Sequence, residues 1–281
     1  MLTIVLALAS ALMFALGDFF AQRLTRGNVP VATAFAWIIA TGVVVTAPLA
    51  VLTEGGARGG DLRAGFAYAA VAGGLYAVAY SSLLRGLRVG DLSLVTPIAA
   101  LQGAVAAAIA IALGERLFPL MAVGLGLAVV GGTLAAAGGR REKGRRGAAG
   151  VGWALLAAVA FGVSFVVYSR ASAVSPVTAV AVSRSVTLVL VLPFALRAGL
   201  GLPSRLRLTA VGVGLLEVGG LLAVVWALAR GPVAVASVLG AQFATFALVL
   251  GLVVLRERPA RWQLVGVVCT IVAVTTLALG R

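Results

Sequence analysis

Long charge-free runs separate the few ionic residues of this chain. They span 27 residues between Arg26 and Glu54, 21 between Arg63 and Arg85, and 23 between Asp91 and Glu115. Further runs cover 23 residues from Arg116 to Arg140, 23 from Arg146 to Arg170, 25 from Arg230 to Arg256 and 19 from Arg261 to Arg281. A helix needs about 20 apolar residues to cross the hydrocarbon core of a bilayer. Residues 1–17 are also uncharged, and two more apolar spans carry a single charge each, Arg184 and Glu217. The spacing therefore predicts ten transmembrane helices, over 2–22, 31–52, 65–84, 92–113, 119–139, 151–169, 177–196, 208–228, 232–255 and 262–280. The runs are continuous rather than alternating, which argues against a transmembrane barrel. They are rich in Ala, Leu and Gly, which suits close helix packing in lipid. The first run lacks a basic start and a small-residue cleavage site, so it reads as a retained helix rather than a signal peptide.

Composition removes most other classes. Apolar residues make up 62% of the chain, and there is no His and one Cys. Without His there is no Ser-His-Asp triad and no His-ligated metal site. No nucleotide-binding or nucleophile motif is present, and the acids are scattered one per segment. The expectation is a protein that is not an enzyme and has no cofactor and no metal. The net charge of +14 is spread in small groups between apolar runs, which points to membrane topology rather than nucleic acid. Fifteen basic residues fall in one set of alternate loops and six in the other, with Arg184 inside a span. The positive-inside rule puts the richer set in the cytoplasm and both termini outside.

The chain also repeats itself. Phe14 to Arg23 is similar to Phe161 to Arg170, Pro30 matches Pro176, and Pro48 lies near the place of Pro193. Gln102 matches Gln242, and Gly114-Glu115-Arg116 with Gly124 matches Arg256-Glu257-Arg258 with Gly266. Two five-helix units result, at 1–139 and 151–281, joined by a basic linker at 140–150. An odd number of spans per unit inverts the second relative to the first. Inverted repeats of this kind build secondary transporters, whose central site is reached alternately from the two faces.

The Ser93-Leu94-Val95-Thr96-Pro97 stretch, then Gly114-Glu115-Arg116, then a helix with Gly124 and Gly131, resembles the EamA-type domain of the drug/metabolite transporter superfamily, present twice. Gly17-Asp18-Phe19 resembles the start of one bacterial branch of that group. Two positions depart from the pattern: Leu16 replaces the usual aromatic, and Val238 stands where the first unit has Pro97. The resemblance implies a ten-helix bundle in the bacterial inner membrane that exports or exchanges small metabolites. It also implies cytoplasmic termini, against the charge count.

Polar residues at mid-membrane depth are the candidate transport residues, because each must face a partner or a cavity. Arg184 is a candidate ligand for a carboxylate or other anion, or a packing ion pair. Glu217 is a candidate partner of Arg184, a substrate contact, or the protonatable coupling residue. Tyr76 and Tyr80 share a helical face. Gln102 and Gln242 take matched places in the two units. Trp37, Ser164 and Tyr168 lie on polar-aromatic stripes, and Asp18 sits near the end of helix one. Glu115 and Glu257 read as helix-end anchors. Trp226 lies on the face opposite Glu217 and is excluded. The expected activity is secondary-active movement of a small metabolite, an amino acid or other carboxylate-bearing solute, by alternating access. The alternatives are a broad exporter of cationic or lipophilic compounds, and a non-transporting scaffold or lipid-handling subunit. The expected partners are the solute, the bilayer and a coupling proton or cation, with no nucleic acid, in a monomer or homodimer.

Overall fold

The computed structural model describes residues 1–25, 29–53, 62–89, 95, 98–136, 147–171, 175–254 and 260–279. Most of the Ser93–Pro97 stretch, residues 140–146 of the basic linker, and Glu257 lie outside the described residues. Within them the chain is helical, with no strand. The first unit comprises α1 (Leu2–Thr25), α2 (Val31–Thr53), α3 (Leu62–Val89), α4 (Gln102–Ala112) and α5 (Pro119–Ala136). The second comprises α6 (Gly147–Ala171), α7 (Pro176–Ala198), α8 (Ser204–Arg230), α9 (Val233–Gly240), α10 (Phe243–Val254) and α11 (Arg261–Leu279). α9 and α10 are the two pieces of one span, so the molecule is a ten-span membrane protein of two inverted five-helix repeats. Eight of the described spans are long and apolar enough to cross a bilayer, and the shorter apolar helices Ile98–Ala112 and Pro119–Ala135 are the other two.

The fourth and ninth spans are not the continuous helices that their apolar composition predicts. At Leu101 the amide bonds to the carbonyl of Ile98, three residues back, before α4 resumes. At Gln242 the amide bonds to Leu239, and Thr245 bonds to Gln242, again three residues apart. The regular ladder thus tightens at matched places in the two repeats, as three-residue bonding does at functional hinges. Non-helical backbone at this depth is tolerated only inside protein or beside a cavity. The sixth span begins at Gly147, earlier than predicted, so the last residues assigned to the linker are helical.

Most helix packing joins one unit to the other. α1 packs along α8 and α3 along α6, an exchange expected of a pseudo-twofold; α2 against α7, α4 against α9, and α5 against α11 lie on that axis. Small residues set these distances. On the α5–α11 seam, a Cβ on Gly266 would stand 2.6 Å from the Ala135 nitrogen and 2.7 Å from the Gly131 carbonyl oxygen. Backbone cannot step aside. Gly266→Ala is expected to destabilise the fold by roughly 1–3 kcal/mol, the usual range for overpacking. A thermal melt of the detergent-purified protein checks this, and an unchanged midpoint would refute the seam.

Successive spans alternate in direction, which puts the start of α1, the 113–118 turn and Gly231-Pro232 at one end of the bundle. Here that is termed the first end. Residues 29–30 and 199–203 share the second end. There Thr33 donates to the Gly199 carbonyl at 2.6 Å, tying α2 to the α7–α8 turn.

Candidate functional site

Six spans enclose a cavity at mid-depth, where both interrupted spans pass. Phe14 and Asp18 come from α1, Tyr76 and Tyr80 from α3, and Gln102 from the first turn of α4. Phe161, Ser164, Phe165 and Tyr168 come from α6, Glu217 and Leu221 from α8, and Phe243 from α10. Its volume is about 80 Å³. On the same scale a water needs about 10–15 Å³, so the space suits a solute the size of roughly six waters. Exposure is graded along it. Tyr168 and Leu221 are 0% and 1% exposed, towards the first end. Tyr80 and Leu83 are half-buried and Asp18 is exposed, towards the second. The first end is therefore the closed one.

Glu217 anchors the polar part of the wall. Tyr76 donates its hydroxyl to Glu217 Oε2 at 3.0 Å. Arg184 Nη2 lies 3.6 Å from the same oxygen and donates to the Glu217 main-chain carbonyl at 3.3 Å. The Arg184 guanidinium carbon also sits 4.6 Å from the centre of the Tyr76 ring, a cation–π contact that strengthens when water is excluded. The pair foreseen between Arg184 and Glu217 is formed, but the arginine does not face the cavity. It is 1% exposed, one layer behind Tyr76 and Glu217, which occupy its cavity side. Its Nε and Nη1 have no hydrogen-bond partner among the described residues.

Much of the remaining wall is aromatic. Tyr80 stacks on Phe35 of α2 with centroids 4.2 Å apart and planes at 12°. Tyr76 continues the stack at 6.0 Å from Tyr80, and Phe161 meets Tyr76 edge-on at 5.5 Å. Stacking of this kind fixes ring orientation as well as burying area. The Tyr168 hydroxyl is paired with Ser183 on α7. Ser164 turns its hydroxyl back to the Phe161 carbonyl at 2.7 Å.

The structure brings together Asp18, Tyr76, Tyr80, Gln102, Ser164, Tyr168 and Glu217, with Arg184 behind them. Two other candidates lie elsewhere. The Trp37 indole donates to the Leu200 carbonyl at 3.1 Å, at the second end. Gln242 is consumed by its neighbours: its amide nitrogen donates to Ala128 at 2.8 Å and Val238 at 3.3 Å, and its oxygen accepts from Thr245 and Thr270. The repeat explains why Gln102 differs. The first-unit counterparts of Thr245 and Thr270 are Val105 and Ala128, which have no hydroxyl, and Gln102 lines the cavity instead. Trp226 lies off the site under Arg230, 4.6 Å from the guanidinium.

The sequence reading missed Phe14, Phe165 and Phe243. Phe14 was within reach, since it stands one helical turn before Asp18 on the same face. Phe243 was not, because its direction depends on the interruption before it.

A buried polar cluster at mid-membrane, enclosed by inverted repeats and interrupted spans, defines a multi-pass membrane transporter. The model of the EamA-like transporter family matches residues 1–136 and again 148–279. The chain belongs to that family, and so to the drug/metabolite transporter superfamily. A solved crystal structure titled only as that of a protein shares the fold, with a TM-score of 0.79 and 19% identity over 99% of this chain and 96% of its own. No functionally curated protein matches the chain.

Proposed function

We propose that this protein is a secondary-active exporter of small amphipathic organic cations in the bacterial inner membrane. It works by alternating access through the cavity between its two units and is not an enzyme. One observation carries the choice of substrate. Among the described residues, the charged groups lining the cavity are Asp18 and Glu217, and Arg184, which offsets one of them, is buried behind the wall. The net charge presented to a solute is negative, and the surrounding rings favour a cation with an apolar body. This favours the cationic alternative over a simple carboxylate substrate.

A zwitterionic amino acid is the second reading, because two guanidinium nitrogens of Arg184, Nε and Nη1, have no hydrogen-bond partner among the described residues. It requires Tyr76 or Glu217 to move aside and admit the substrate carboxylate. Uptake into inside-out proteoliposomes separates the readings. Small aryl-alkylamines are expected to accumulate, while their uncharged alcohol analogues and the matching carboxylic acids do not. Uptake of amino acids that disappears with Arg184→Met would favour the second reading. Flux of the acids alone would defeat both.

A further inference from the structure

Outside the cavity, a two-pronged polar contact to a carboxylate joins the two units at the closed first end. Gly114 ends the fourth span with φ 98°, a left-handed conformation natural to glycine. The Glu115 amide then bonds back to the Ala110 carbonyl at 3.0 Å. That turn aims the Glu115 carboxylate at the first turn of α9 in the other unit. Oε2 accepts the Val233 amide at 2.9 Å, and Oε1 accepts the Ala234 amide at 3.0 Å. A helix cannot satisfy its own first amides, and the residue preceding α9 is Pro232, which offers no side-chain cap. The first unit therefore supplies the cap, and the helix dipole favours its negative charge.

The capped helix is a lever. Every residue of α9 from Ala234 to Gly240 is buried. Ser237 on it bonds the Gly103 carbonyl of α4 at 3.4 Å. A Cβ on Gly103 would stand 2.9 Å from the Ser237 carbonyl oxygen, so α4 and α9 cannot slide past each other freely. The far end of α9, about 12 Å away at 1.5 Å per residue, is the interruption that precedes Phe243 in the cavity wall.

From this geometry we propose that Glu115 is a positioning residue of the transport cycle. Its two-amide grip on α9 is the latch between units that keeps the first end closed, and it is released whenever that end opens. The proposal rests on the alternating-access reading.

The test uses the full chain in proteoliposomes, with Cys269→Ala and one reporter cysteine at Ala227 on α8 or Ala171 on α6. Both sites are buried towards the first end, and neither is on α9. A membrane-impermeant maleimide reads their exposure without any knowledge of the solute. Glu115→Ala is expected to speed labelling at both sites about tenfold while the melting midpoint moves little. Glu115→Gln keeps one acceptor and should fall between. It also serves as the probe if the alanine variant does not fold. Wild-type labelling rates in both variants, in a protein that transports, would overturn the latch alone. So would faster labelling that merely tracks a lower melting midpoint. No flux in the wild type, with both reporters protected in every variant, would overturn the transport reading with it.

Discussion

Asp18→Asn should reduce amine transport by about 100-fold in kcat/KM while leaving the melting midpoint nearly unchanged. Asp18 is exposed in the cavity wall and makes no ion pair among the described residues, so its charge is available to a solute. A cation about 4 Å from a carboxylate gains about 4 kcal/mol at the effective dielectric typical of sites near a protein surface. Partial hydration of an exposed carboxylate reduces that gain, and exclusion of water by the bound solute and the surrounding rings limits the reduction; about 100-fold corresponds to roughly 2.7 kcal/mol. The neutral asparagine has nearly the same shape, so packing is preserved. Transport kinetics in vesicles beside a thermal melt decide the matter. Undiminished amine flux would mean that the cation is held elsewhere, and a large loss of stability would make Asp18 structural.

The second large effect concerns folding. Arg184→Ala is expected to destabilise the protein by about 3–5 kcal/mol, the range for removing one partner of a buried pair. Among the described residues it leaves Glu217, 7% exposed, with the Tyr76 hydroxyl as its side-chain partner, and it also removes the guanidinium from the Tyr76 ring. The double variant Arg184→Met, Glu217→Gln should recover most of this loss. Methionine fills much of the same volume, and glutamine still accepts from Tyr76. Denaturation of the single and double variants gives the coupling between the two sites. Additive losses would show that the two side chains are neighbours without being partners.

Much of the architecture is legible in the order of residues. Charge spacing alone marks where the chain must leave the bilayer, and the return of Gly-Glu-Arg as Arg-Glu-Arg marks the repeat. Arg184 and Glu217 announce one another, because neither is affordable at that depth alone. The interruptions at Leu101 and Gln242 are hidden, since the apolar run continues through both and the change lies in backbone bonding. The side on which Arg184 sits is equally hidden. A residue pattern gives its depth, whereas Tyr76, from a span far away in sequence, decides what stands in front of it. Gln102 and Gln242 look equivalent until their surroundings are compared, when the hydroxyls of Thr245 and Thr270 separate them.

The exchange of packing between the units has a consequence for biosynthesis. α3 finds its main neighbour in α6, and α1 finds its own in α8. While the ribosome is still making the second unit, the first five spans sit in the bilayer with Asp18, Tyr76 and Gln102 lacking the walls that will enclose them. Neither half can mature before its sibling arrives. A nascent chain stalled at the midpoint should be prey for membrane proteases, and two separately translated halves should survive only when made together.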